Sequence, residues 1–322
     1  MIGVAGAGAF GTALAIAEAA EGREVRLWGR DPAAMAAAQA SRATPHLPGA
    51  TLPPTLRATA SLADLAGAEA LLLVVPAQAT AGFLAEHGAE LPEAPLVLCA
   101  KGIDARDFRL QSQIAAAALP QATVAALTGP GFAGEIAAGL PTALTLACAD
   151  AATGRRLQAA LSTARLRLYL TGDVIGAELG GALKNVVAIG CGLIEGARLG
   201  ASARAALMTR GFAEMTRLAT ALGARPETLS GLSGLGDLSL TCGSTQSRNF
   251  RLGQALGAGE ARPGGTVEGV ATARAACRLA AEHGIELPIA AAVADVLAGT
   301  LTVEGAMTAL LARPLKSEQE RP

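Results

Sequence analysis

Along the first half of the chain, short apolar runs alternate with longer stretches whose apolar positions recur at helical spacing. The runs "IGVAG" (2–6), "EVRLW" (24–28), "ALLLVV" (70–75), "LVLCA" (96–100), "TVAAL" (123–127), "TALTLAC" (142–148) and "LRLYL" (166–170) read as strands. Near-continuous hydrophobicity suits strands buried on both faces, and the helical stretches between them predict crossover connections. The expectation is an α/β fold with a mainly parallel sheet over residues 1–172. After "TGD" (171–173) the pattern changes to long alanine- and leucine-rich stretches broken by glycine, so residues 173–322 read as an all-α second domain. The junction rests on that change of pattern, because no low-complexity linker and no repeat marks it. The tail "RPLKSEQERP" (313–322) is polar and is expected to fray.

Composition narrows the class. A mean hydropathy of +0.40 raises the question of a membrane protein. Pro, Gln or charged residues interrupt the apolar runs, as Pro76 and Gln78 do after "ALLLVV", so no clean span of about 20 residues is expected. A net charge of −1 points to neither nucleic acid nor stable membrane association. The five cysteines are scattered without a CxxC pair, and there are only three histidines, so no metal site is expected. The cysteines read as buried thiols of a cytoplasmic protein, and with a strand beginning almost at Met1 no leader is expected.

The first strand runs directly into "GAGAFG", which sets Gly6, Gly8 and Gly11 in G-x-G-x-x-G spacing ahead of the helical "TALAIAEAA". In this context the first glycine permits a tight turn, the second lets backbone approach a pyrophosphate, and the third lets helix and strand pack closely. The unsatisfied N–H groups of the helix start then face the phosphates. This predicts a Rossmann-like dinucleotide-binding domain. At the end of the second strand, Asp31 precedes Pro32 and a helical run, which suits a helix N-cap better than a ribose contact. Arg30 beside it suits the 2′-phosphate of NADP, so the cofactor reading is NADP or NAD, leaning to NADP; a solvated surface arginine is the competing reading.

Three further stretches carry polar chemistry. Lys101 and Gly102 stand just past a buried strand, where open α/β sheets bind ligands. "LTGPGFAGE" offers the backbone amides of Gly129 and Gly131 where a helix begins. "GLGDLSLTCGSTQSRNF" (234–250) combines Asp237, Thr241, Ser247, Arg248 and Asn249, and Ser247 is placed to cap a helix whose first turn holds Arg248 and Asn249. Arginine sits poorly at a helix N-terminus unless an anion neutralises it.

The most telling residue is Lys184. Lysine and arginine together number 26, yet only Lys101, Lys184 and Lys316 are lysines. Lys184 lies in "ELGGALKNVVAIGCG" (178–192), and its helical neighbours Gly180, Gly181, Val187 and Ala188 include no acid. Desolvation there lowers an ammonium pKa and makes a general acid/base near neutral pH, a role closed to arginine. A lysine snorkelling to water is the alternative.

In order along the chain, "GAGAFGTALA", "LWGRD", "HLPG", "VVPAQ", "AKGI", "LTGPGFAGE", "GALKNVVAIGCG", "GLGDLSLTC", "SRNF" and "VEGV" resemble the bacterial-type NAD(P)-dependent glycerol-3-phosphate dehydrogenases. The resemblance implies interconversion of sn-glycerol 3-phosphate and dihydroxyacetone phosphate, at the start of glycerophospholipid synthesis. It implies Lys184 as general acid/base. It implies Lys101, Gly129, Gly131, Lys184, Asp237, Ser247, Arg248 and Asn249 as substrate contacts. The cofactor contacts it implies are Gly6, Gly8, Ala9, Phe10, Gly11, Arg30, His46, Lys101, Ala133, Arg248, Thr266 and Glu268. Ala9, His46, Ala100 and Gly131 depart from the family pattern, which often has serine, tyrosine, threonine and serine there. The partner is then a small phosphate ester; the oligomeric state stays open, a homodimer included. Two other readings remain at this level: a two-domain hydroxy-acid dehydrogenase, and a non-catalytic NADP sensor.

Overall fold

The computed structural model describes residues 1–315. The part of the polar tail beyond residue 315, with Lys316, lies outside the described residues. Eight strands form one sheet: β1 (Ile2–Ala5), β2 (Val25–Trp28), β3 (Leu56–Thr59), β4 (Ala70–Leu73), β5 (Leu96–Leu98), β6 (Val124–Thr128), β7 (Thr142–Cys148) and β8 (Leu166–Thr171), in the order β3-β2-β1-β4-β5-β6-β7-β8. Every neighbouring pair is parallel except β6 and β7. All seven expected strands are present. The eighth, β3, escapes the hydrophobic pattern because "LRAT" is short and carries an exposed Arg57 on an edge.

The order reverses between β1 and β4, which both leave the sheet toward the same end. That switch point opens a crevice outside the strand termini, where doubly wound sheets bind their ligands. Apolar side chains cover both faces: Leu14, Ile16 and Leu27 belong to the core on one side, Leu73, Leu84 and Ile114 to the core on the other. Asp31 caps the helix Pro32–Ser41 as expected, its Oδ1 accepting from the N–H groups of Ala33 and Ala34 at 2.9 and 3.1 Å.

Beyond β8 the described part of the chain is helical, its helices joined by turns. Its axis is Val174–Gly196, in which every residue from Gly176 to Ile194 is buried. By length and composition this helix is apolar enough to cross a membrane, contrary to the expectation that no such span exists, but 89% of its apolar window is buried inside the protein. A helix apolar on all sides is one enclosed by others. Here the helices Ala201–Ala221, Arg248–Gly257, Glu268–Glu282 and Pro288–Ala298 enclose it. Its first turns also lie on the sheet, Val174 and Ala177 packing with Ala126 of β6 and Ala147 of β7. The closest neighbour is Arg248–Gly257: a Cβ on Gly253 would stand 2.0 Å from the carbonyl oxygen of Ile189. Only glycine permits that approach, and it brings the Ser247–Asn249 turn against the Lys184 helix.

Candidate active site

Lys184 sits on the central helix with its side chain 8% exposed, so it does not snorkel to solvent. Its missing acid comes from a distant segment. A π-helical turn, Leu232–Gly236, delivers Asp237 to the start of the helix Asp237–Cys242, and Asp237 is buried. Lys184 Nζ donates to Asp237 Oδ1 at 3.0 Å and to Thr241 Oγ1 at 2.7 Å. Thr241 in turn donates to Asp237 Oδ1 at 3.2 Å. Lys101 reaches the other carboxylate oxygen from the sheet, Nζ to Oδ2 at 2.6 Å, and also donates to the carbonyl of Gly129 at 2.8 Å.

Two ammonium groups thus share one carboxylate. Burial pushes the Lys184 pKa down; Asp237 pulls it up and Lys101 pushes it down again, leaving it at about 8. Burial acts to raise the Asp237 pKa, but the two lysines outweigh it and hold the carboxyl below its ordinary value. With both lysines protonated the cluster carries one net positive charge, which suits an anionic ligand or a developing alkoxide. Each oxygen of Asp237 accepts from one of the two lysines. Thr241 stands out in the sequence only as one of the polar residues of its stretch, without a role; its place four positions after Asp237, on the same helical face, is the signal for one.

Ser247 caps its helix as expected, Oγ accepting from Phe250 N–H at 3.2 Å. Arg248 follows, exposed, without a hydrogen bond or ion pair among the described residues. Its charge is felt at Glu268, whose pKa is raised by burial while the Ala77 N–H and Arg248 act to lower it. Asn249 points inward, and its amide is engaged by Asn185 and by the N–H of Gly269. Gly129 contributes its carbonyl to Lys101, at a φ of +133°. Gly131 lies among Ile136, Thr142 and Leu144, and the helix that follows, Ala133–Ala137, has only five residues.

The family model for the N-terminus of NAD-dependent glycerol-3-phosphate dehydrogenase matches residues 1–154, and the model for the C-terminus matches residues 173–308. The chain belongs to this family. The chain is 59% identical to a glycerol-3-phosphate dehydrogenase [NAD(P)+] of Paracoccus denitrificans over 98% of this chain and 99% of the relative. It is 55% identical to one of a Ruegeria species over 98% and 99% of the two chains. A crystal structure of glycerol-3-phosphate dehydrogenase from Coxiella burnetii superposes with a TM-score of 0.91 at 37% identity, covering 97% of this chain and 98% of that one. As a member of the family, the protein is an NAD(P)-dependent glycerol-3-phosphate dehydrogenase, an oxidoreductase.

The first crevice fits the dinucleotide such a dehydrogenase uses. Gly6 turns at a φ of +128°, and a Cβ on Gly11 would lie 1.9 Å from the Gly6 carbonyl oxygen, so the loop exists only with glycine at 11. The helix Ala9–Ala20 has Gly8 at its N-cap, with no side-chain cap and no acidic residue in the first turn. Its leading N–H groups are therefore open to a pyrophosphate. Phe10 lies under Lys101, Nζ to ring centroid 5.9 Å, which joins this loop to the lysine cluster. Ala9 and Phe10 share an apolar cluster with Ala133. Glu268 stands at the start of the helix Glu268–Glu282, its Oε1 accepting from Ala77 N–H at 3.3 Å beyond β4, its buried Oε2 without a partner. Arg30, His46 and Thr266 are exposed; none of the three side chains makes a hydrogen bond or ion pair among the described residues.

Proposed function

We propose that the protein interconverts sn-glycerol 3-phosphate and dihydroxyacetone phosphate at the Lys184–Asp237–Lys101 cluster, with Lys184 as general acid/base. The observation that carries this is a buried lysine held by Asp237 and Thr241 with its pKa brought to about 8, near the operating range of an acid/base group. The dinucleotide, when bound, supplies or accepts the hydride exchanged with the substrate C2. In reduction, the Lys184 ammonium donates a proton to the C2 oxygen and leaves as the neutral amine. In oxidation, the neutral amine takes the proton back. Lys101 adds positive charge beside the developing alkoxide, and Asp237 keeps both lysines in place. Arg248 takes the substrate phosphate through paired N–H groups, the anion that its unpartnered helix-start position favours. The carbonyl of Gly129 fixes Lys101, while the Ser247 cap fixes the turn that carries Arg248.

Residues 1–172 form the dinucleotide-binding domain and residues 173–322 the substrate domain. Glu268, Thr266 and Arg248 face the cofactor from the second, and Gly6, Gly8, Ala9, Phe10, Gly11, Arg30, His46, Lys101 and Ala133 from the first. The compartment is the cytoplasm, and the reduced product feeds glycerophospholipid synthesis. Because Asp31 is occupied as a helix cap and Arg30 is exposed beside it, the cofactor preference leans to NADPH. Oxidation of NAD(P)H tests the reading. Dihydroxyacetone phosphate should be turned over with a kcat/KM far above that of unphosphorylated dihydroxyacetone; equal values would refute the phosphate site. A strong preference for NADH over NADPH would refute the role of Arg30.

A further inference from the structure

Lys184 and Arg248 sit on different helices, and a phosphate ester must span the gap between them. Behind that gap lies a chain of side-chain amides. Gly269 N–H donates to Asn249 Oδ1 at 3.0 Å, Asn249 Nδ2 donates to Asn185 Oδ1 at 2.8 Å, and Asn185 Nδ2 donates to the Lys101 carbonyl at 3.2 Å. Asn185 Nδ2 also reaches its own helix at the Gly181 carbonyl, 3.4 Å away. The two asparagines are 3% and 9% exposed. The direction of the chain is not free. A backbone N–H can only donate and a carbonyl can only accept, so Gly269 and Lys101 set the orientation of both amides from opposite ends. Each asparagine directly follows a residue of the site: Asn185 follows Lys184, and Asn249 follows Arg248. Gly269 follows Glu268.

We propose that Asn185 and Asn249 form an amide relay that sets the separation of Lys184 from Arg248, and with it the position of the substrate C2 once its phosphate is gripped. The inference rests on the assignment of Arg248 to the substrate phosphate. Neither amide acts on the reacting atoms; they are positioning residues. The relay ties together the loop after β5, the central helix, the phosphate-binding turn and the Glu268 helix, so one broken link lets two charged groups drift apart. Buried hydrogen-bonded amides hold such a distance more rigidly than apolar packing, since sliding leaves polar groups unpaired.

Asn185→Leu tests this, because leucine keeps the branched shape, adds no charge and removes all three side-chain hydrogen bonds. In the wild-type background kcat/KM for dihydroxyacetone phosphate should fall by about 10–100-fold, the size of effect an ångström of misplacement causes. In an Arg248→Ala background, where nothing holds the phosphate at a set distance, the same change should have an effect of less than about threefold. Equal falls in both backgrounds would overturn the relay and mark Asn185 as a residue that acts on Lys184 alone. Arg248→Ala by itself should lower kcat/KM at least about tenfold through KM; an unchanged value would overturn the phosphate assignment and the relay with it. If Asn185→Leu shows no cooperative melting transition, Asn185→Ala removes the same hydrogen bonds and is read by the same cycle.

Discussion

The glycine loop and the lysine cluster are built in opposite ways. Gly6, Gly8 and Gly11 are near neighbours along the chain, and their spacing is the structure: a turn, an open approach and a close helix contact. Lys101 and Asp237 are 136 positions apart, Lys184 and Asp237 53, and nothing in the local sequence of one names the other. The loop depends on backbone shape and the cluster on charges brought together in a dry place. A loop of the first kind is recognised by pattern. A cluster of the second kind can only be suspected from an oddity, here a lysine in an apolar helix.

Substitutions that separate shape from charge break this comparison most sharply. The largest effect belongs to the cluster. Lys184→Ala should lower kcat by about 10²–10⁴-fold while the protein stays folded, and Lys184→Arg should not restore the rate, because a guanidinium keeps its proton. An unchanged kcat in either folded variant would remove Lys184 from the reaction. Next comes the loop. Gly11→Ala should destabilise the protein by roughly 1–3 kcal/mol and weaken dinucleotide binding with it, since its Cβ would stand 1.9 Å from the Gly6 carbonyl oxygen. Thermal melting and fluorescence titration with NADPH read both; a wild-type Tm would show that the loop yields.

Charge without shape is tested by Asp237→Asn. The carboxylate raises the Lys184 pKa against burial, so removing it moves that pKa below about 8. Lys184 works protonated in reduction, so the alkaline fall in kcat/KM should move to lower pH, and in oxidation the acid limb should move the same way. A shift to higher pH would contradict the assigned roles. The smallest effect is expected at Gly8→Ala. A Cβ there meets nothing within 4 Å, so stability should change by no more than about 0.5 kcal/mol. A large drop in Tm would mean that Gly8 shapes the loop rather than leaving room for phosphates.

Much of the fold was legible because hydrophobic pattern is a local property. Seven strands, the Asp31 cap and the Ser247 cap follow from residues within a few positions of each other. Strand β3 did not, because an edge strand of four residues need not be apolar on both faces. The antiparallel turn from β6 to β7 was also beyond the pattern, since an apolar strand reads the same in either direction. Lys184, Lys101 and Arg248 were each marked by residue type and setting, and Asp237 by the family resemblance. The contact of Thr241 with Lys184 and the inward turn of Asn249 were not, because a threonine or asparagine in a polar stretch has many uses and only its neighbours select one.

The sequence by itself determined the dinucleotide loop, the succession of strands and helices, and the unusual lysine. Each of these depends on steric limits and periodicity that act over one or two turns of chain. The tertiary structure alone decided that Lys184 is buried rather than solvated, that it shares Asp237 with Lys101, and that Asn185 and Asn249 hydrogen-bond to each other between the central helix and the turn that carries Arg248. Those outcomes depend on charge, desolvation and hydrogen-bond direction between segments far apart in sequence, and such terms take a value only once the chain has closed around them.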